Sequence, residues 1–369
     1  MIINQMARVA KVPPLGKALA LFAPKPVQWG ESMKRLKTYM GAGVLLACAA
    51  LATASAGTLD DVKARGAVRC GVHIEKAGFS TTDASGRIAG FDIDFCRAIA
   101  AAIGVEARFT PMNPAQRFTA LISNSVDVLL MTTTQTMNRD TKLGADFPFI
   151  NFYGGGMLMV PKSSGVTSAK GLNGASVCLS SGTTADQFIS DFFRRHNMTY
   201  KQVLFEKLDD GFRAYSEGRC DVFTQDDTAL AAMRMSLRNP DEHLILPEVL
   251  SKEPVGAVTR QNDSEWNNVL TWVFAALVNA EEKSVTQSNV DEAARSSADP
   301  DIQRMLGKTG TLGPDAGLPG DWAVRAIKAV GNYGEIFERH LGKGSRFKME
   351  RGTNDLWTRG GLIYGLPIR

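Results

Sequence analysis

Histidine is scarce in this chain: there are four, His73, His196, His243 and His340, scattered along 369 residues. The five cysteines include no Cys-x-x-Cys pair. Together these absences argue against a zinc site, which needs clustered nitrogen and sulfur ligands. No Ser/His/Asp constellation is in view either. No stretch outside the N-terminal region is long and apolar enough for a membrane helix. The richest, Trp272 to Val278, is closed by Asn279-Ala280-Glu281-Glu282, far short of the roughly 20 residues a bilayer requires. No basic stripe of the kind that marks a nucleic-acid binder is present. What remains is a globular composition, 22% charged and 44% hydrophobic, on a chain long enough for two domains.

The N-terminus reads as a secretory leader, residues 1–56. Met33-Lys34-Arg35-Leu36-Lys37 supplies a basic segment, Gly41 to Ala52 an apolar run, and Ala54-Ser55-Ala56 a small-residue cleavage pattern. Residues 1–32 are expected to precede a true initiator at Met33, an unusually long n-region being the other account. Leu45-Leu46-Ala47-Cys48 faintly resembles a lipoprotein box, but no polar tether follows Cys48. Cleavage after Ala56 removes seven basic and one acidic side chains and turns the formal charge from +4 to −2. The mature chain is expected to be soluble and monomeric, in the periplasm. It keeps Cys70, Cys96, Cys178 and Cys220. An even count in an oxidising compartment favours two disulfides, with three pairings open.

From Ala67 short β-rich runs alternate with helical periodicity. Strands are expected at Ala67 to Val72, Val105 to Pro111 and Val126 to Met131, with helices at Phe91 to Ile103 and Ala115 to Ser123. The rhythm restarts after Pro161-Lys162-Ser163-Ser164-Gly165. Strands follow at Ala175 to Leu179, Gln202 to Phe205 and Asp221 to Thr224, with helices at Ala185 to Arg194 and Asp210 to Glu217. Ser264 to Ala280 is a strong further helix. One α/β plan used twice implies mostly parallel sheets with helices on both faces. Two such doubly wound lobes joined by extended segments place a ligand in the cleft between them, beyond the carboxyl ends of the strands. Chemistry is therefore expected just after Val72, Leu130, Leu179 and Phe223.

Suitable groups stand there. Met131-Thr132-Thr133-Thr134-Gln135-Thr136 is followed by Asn138-Arg139-Asp140, hydroxyls and a guanidinium that can hold a carboxylate. A threonine-rich loop end with a surface arginine explains the same residues without a ligand. Ser180-Ser181-Gly182-Thr183-Thr184 precedes a helix, where a backbone approach and a helix N-terminus favour an anion; a plain helix cap is the bland alternative. Asp226 can receive an ammonium group, or simply cap the next helix. A zwitterion needs both poles matched, because either charge buried unpaired costs several kcal/mol.

These residues resemble the type II periplasmic solute-binding proteins, specifically the polar L-amino-acid-binding subunits of ABC importers. The resemblance covers the mature chain. It includes Cys70-Gly71-Val72, Ala77-Gly78-Phe79-Ser80, Gly90-Phe91-Asp92-Ile93-Asp94-Phe95-Cys96, Arg117-Phe118-Thr119-Ala120-Leu121 and Ser181-Gly182-Thr183-Thr184. It continues through Gly218-Arg219-Cys220-Asp221-Val222, Ser251-Lys252-Glu253-Pro254 and Val330-Gly331-Asn332-Tyr333-Gly334. It implies a periplasmic-binding-protein-like fold with a two-strand hinge: residues 57–156 and 257–369 form lobe 1, residues 157–256 form lobe 2. The hinges are expected near Gly156 to Lys162 and Pro254 to Gln261. One disulfide within each half, Cys70–Cys96 and Cys178–Cys220, suits that plan. By the resemblance, Arg139 clamps the α-carboxylate beside Thr132, Thr134 and Thr184, and Asp226 receives the α-amino group. Phe91 walls the ligand side chain, and His73 and Lys76 face it. The subgroup's usual Arg-Asn before the Thr-Thr pair and Trp after it are Met131, Thr132 and Gln135 here, so a cation and an indole are expected to be missing from the pocket rim. The implied function is capture of a polar L-amino acid for a separate membrane permease, with no cofactor and no catalysis. The alternative is a periplasmic cyclohexadienyl (prephenate or arogenate) dehydratase on the same scaffold. That reading needs a general acid, for which Glu75 is the nearby candidate.

Overall fold

A computed structural model describes residues 57–82 and 85–369; the leader residues lie outside these. Among the described residues the strands are β1 (Ala67–His73), β2 (Thr81–Thr82), β3 (Ile88–Ala89), β4 (Glu106–Met112), β5 (Val128–Thr134), β6 (Ala145–Asp146), β7 (Ile150–Pro161), β8 (Ser176–Ser180), β9 (Lys201–Phe205), β10 (Val222–Asp226), β11 (His243–Ile245) and β12 (Ser251–Arg260). The main sheet runs β4-β1-β5-β12-β7-β10-β8-β9. At one end β1 lies parallel to β4 and β5. At the other, β8 lies parallel to β9 and β10. Between them β7 and β12 run antiparallel to each other and to their outer neighbours. The parallel ends come from the alternation of strand and helix, since a parallel return needs a crossover.

The elements follow from local sequence. Strand β1, Ala-Val-Arg-Cys-Gly-Val-His, is buried along nearly its whole length, as a central parallel strand must be. The helix Phe91–Ile103 turns its apolar side toward β1 and stops at Gly104, whose φ of 88° is open to glycine at little cost. Cys96 on that helix bonds Cys70 on β1, and Cys178 on β8 bonds Cys220 just before β10. The expected helix from Ala115 splits into a tight turn, Pro114–Gln116, and the helix Arg117–Ile122. Pro114 has no N–H, and Asn113 and Gln116 cap one another's backbone there. The apolar stretch Trp272 to Val278 sits inside the helix Ser264–Glu282, with Val273, Phe274 and Leu277 buried. Among the described residues no helix is long and apolar enough to cross a membrane.

The apolar residues gather in two halves. One core joins β1, β5, the helices Phe91–Ile103 and Ser264–Glu282 and the C-terminal helices, around Val68, Ile99, Leu130, Val269 and Ile327. Val160, Val177, Ile189 and Val222 form one cluster in the other half, and Cys178, Tyr215, Phe223 and Leu230 a second. Along β7, Phe152 belongs to the first core and Leu158 to the second, with Gly154, Gly155 and Gly156 between. On the return, Leu250 packs on the second half, while Val255 and Ala257 lie in the first core. Phe152 and Leu158 on β7, and Val255 and Leu250 on the return, thus pack in different cores.

Candidate functional site

The carboxyl ends of β1, β5, β8 and β10 converge on a cavity of about 60 Å³. His73, Lys76, Arg117, Thr132, Thr134 and Arg139 line it from the first half. Ser180, Thr184 and Asp226 line it from the second, and Glu253 enters from β12. The strand ends are the places the alternation pointed to.

Strand β5 is built to aim its hydroxyls. Against β12 the register runs Leu129 to Val258 and Thr133 to Gly256, so β5 carries two extra residues at a bulge. Bulges re-aim side chains beside sites. Within it Thr132 has φ +44°, a region a β-branched residue enters only under constraint, at a cost of about 1–3 kcal/mol. Its N–H donates to Asp92 Oδ2 at 3.0 Å. Its hydroxyl accepts from Lys76 Nζ at 2.8 Å and lies 2.8 Å from His73 Nε2. Burial holds the His73 imidazole well below its usual pKa, aided by the cations Lys76 and Arg117. The neutral ring and the Thr132 hydroxyl, which already accepts from Lys76, share one further hydrogen bond between Nε2 and Oγ1.

Arg139 is buried, not a surface arginine. Its Nη1 donates to the Thr134 carbonyl at 2.6 Å and its guanidinium covers the Phe118 ring. Desolvation pushes its pKa down to about 10, against the opposing pull of Glu253. Arg117 is equally buried and its pKa is lowered by burial and then by Arg139. Its Nη2 donates across the cleft to the Gly182 carbonyl at 2.9 Å, while its Nε has no partner among the described residues. Glu253 accepts from Thr134 Oγ1 at 2.5 Å and Thr184 Oγ1 at 2.8 Å. A single carboxylate therefore ties a hydroxyl from each half.

The bland alternatives separate cleanly. Thr183, not Thr184, serves its helix end: its hydroxyl donates to the Ser180 carbonyl and accepts from Ala185 N–H. Thr184 turns to the cleft. Asp226 does cap its helix, through Oδ1 and Ala229 N–H at 2.9 Å, but its Oδ2 accepts from Lys76 Nζ at 2.7 Å across the cleft. Three cations, Lys76, Arg117 and Arg139, thus face two carboxylates, Asp226 and Glu253. The walls favour an added anionic group, and Asp226 holds the place for a cationic one.

Of the residues the sequence singled out, His73, Thr132, Thr134, Arg139, Thr184 and Asp226 line this cavity. Phe91 does not. It is fully buried among Phe79, Phe95, Phe152, Tyr333 and Phe337 and walls no part of the cavity, because the first turn of its helix points into the core. Met131 packs with Leu121 and Val258, and Gln135 is exposed. Neither Met131 nor Gln135 lines the cavity, whereas Thr132 between them does. Arg117 and Glu253 were not singled out. Both stand in motifs of the resemblance, Arg117-Phe118-Thr119 and Glu253-Pro254, and only their burial reveals them. Glu75, the acid a dehydratase would need, lies on the far side of Lys76, where its carboxylate accepts from Thr82 N–H at 3.2 Å.

Two α/β halves on crossing strands, with opposite charges meeting in the cleft, define a solute-binding clamp. The chain belongs to family 3 of the bacterial extracellular solute-binding proteins, which residues 68–288 match. The general L-amino acid-binding periplasmic protein AapJ of Rhizobium johnstonii is 49% identical over 91% of this chain and 99% of its own length. The glutamate/glutamine/aspartate/asparagine-binding protein BztA of Rhodobacter capsulatus is 45% identical over 88% of this chain and 97% of its own. A solved ABC transporter periplasmic binding protein from Brucella ovis, with glutathione bound, is 48% identical. It superposes with a TM-score of 0.82 and covers 85% of this chain and 100% of that one. The family and these relatives are binding proteins, not enzymes, and the dehydratase alternative is not favoured.

Proposed function

We propose that this protein captures free polar L-amino acids in the periplasm and delivers them to a membrane ABC permease, acting as a monomer without cofactor or nucleic acid. The ligand α-carboxylate meets Arg139 and the free Nε of Arg117, and takes the hydroxyl hydrogen bonds of Thr134 and Thr184 in exchange for Glu253. The α-ammonium takes Asp226, exchanging with Lys76 Nζ. His73 and Lys76 then face the ligand side chain. The lobes are residues 57–153 with 255–369 and residues 157–250, bending at Gly154–Gly156 and Ser251–Pro254. Ligand that bridges both lobes makes the closed form dominant. The observation that carries this reading is the position of Arg139 and Asp226, contributed by different halves to one cavity. The names of the relatives support the ligand class and the compartment.

A thermal-shift screen against the free amino acids tests it, because a bound ligand raises the melting temperature. At least one polar amino acid is expected to stabilise the protein. Arg139→Ala is expected to weaken calorimetric binding by at least about tenfold with the fold intact, a loss of roughly 1.4 kcal/mol or more. Retained affinity removes Arg139 from the site.

A further inference from the structure

The cleft does not end at the cavity between Arg139 and Asp226. A second chamber of about 190 Å³ lies between the same two halves, and Lys76 and Leu208 line both. The Lys76–Asp226 bond, at 2.7 Å, therefore stands at the wall between an inner and an outer room. By the same measure of space one water needs roughly 10–15 Å³. The inner cavity of about 60 Å³ is then the size of an α-amino-acid head group, and the outer one is about three times larger.

The outer walls are chemically divided. Leu208, Phe212 and Met233 give it an apolar side from the second half. Arg346, an exposed cation from the C-terminal segment, stands at its edge with Glu75 and Asp209. An apolar body ending in a carboxylate suits that division: the body covers the apolar side and the carboxylate meets the guanidinium.

We infer that the outer chamber is a binding subsite for a substituent carried on the ligand side chain, so that the protein also takes side-chain-extended amino acids, the γ-glutamyl dipeptides being the simplest. This rests on the proposed clamping of both α-groups by the inner cavity. With Arg139 holding a free α-carboxylate, an extension linked through that carboxylate has no place, whereas one linked through the side chain leaves both poles free. Exchange of the ligand ammonium for Lys76 Nζ at Asp226 opens the wall through which the side chain passes.

Calorimetry with L-glutamine, γ-L-glutamyl-L-leucine and α-L-glutamyl-L-leucine tests this. The γ-linked dipeptide is expected to bind at least as tightly as glutamine, and the α-linked isomer at least about a hundredfold more weakly. Ser236→Trp fills the outer chamber from an exposed turn. It is expected to weaken the γ-dipeptide roughly tenfold or more and to leave glutamine within about twofold. Arg346→Ala is expected to weaken only the dipeptide. Failure of the γ-dipeptide to bind, or its undiminished binding to Ser236→Trp, overturns the second subsite. Silence toward every free amino acid as well overturns the reading beneath it.

Discussion

At the scale of single residues, the strained Thr132 and the buried Asp92 beneath it form a unit. Asp92 holds the Thr132 N–H and accepts from Asn151 Nδ2, yet burial raises its pKa from 3.8 to about 6. A carboxyl whose pKa is raised on folding contributes stability below its unfolded value and loses it as the pH climbs through its folded value. An ionised Asp92 thus costs on the order of 3 kcal/mol near neutrality. Asp92→Asn keeps an acceptor for Thr132 and removes the charge. Chemical denaturation is expected to show the variant gaining on the wild type as pH rises from about 4 to about 7; a difference that stays flat contradicts it. Lys76 gives a second prediction. Its ammonium is buried against Asp226 and Thr132, and removing one partner of a buried pair destabilises by several kcal/mol. Lys76→Met is expected to melt lower than the wild type and to show a larger melting-temperature rise with ligand, whose own ammonium restores the pair. An unchanged ligand-induced rise argues that Asp226 does not receive the ammonium. Arg139, Thr134, Thr184 and Asp226 were legible because their types and places at strand ends imply an anion and a cation site. Phe91, assigned to the ligand wall by resemblance, lies instead among other rings, because a family motif carries a residue type to a position without its packing.

At the scale of elements, the two halves touch where the backbone has no room to spare. A Cβ at Gly182 would stand 2.7 Å from Ala115 Cα, and its φ of +74° disfavours any other residue. Gly182→Ala is expected to push the Ser180–Thr184 turn off Ala115 and to break the Arg117 bond to its carbonyl. Ligand affinity should fall by roughly tenfold or more while chemical denaturation without ligand changes by less than about 2 kcal/mol. Full affinity in the variant shows that this contact is not part of closure. The strands and helices themselves were largely readable, since each half repeats strand, helix, strand with clear periodicity. The crossings between the cores are harder to read. Both lie inside continuous strands, β7 and β12, and which residue leaves one core for the other depends on packing partners distant in sequence. The bulge in β5 escaped notice for the same reason: register belongs to the pair of strands, not to either alone.

At the scale of the whole molecule, the account reduces to one division of charge. The first half brings Arg117 and Arg139 and the second brings Asp226 to one cavity; on the proposed function, a ligand carrying both signs pulls the halves together, and one carrying a single sign does not. The most direct measurement is calorimetric titration with the best-bound L-amino acid beside two analogues, one lacking the α-amino group and one lacking the α-carboxylate. Both analogues are predicted to bind at least about a hundredfold more weakly, near 3 kcal/mol or more. The loss for the first should vanish in Asp226→Asn and the loss for the second in Arg139→Ala. Full affinity for either analogue in the wild-type protein contradicts the account.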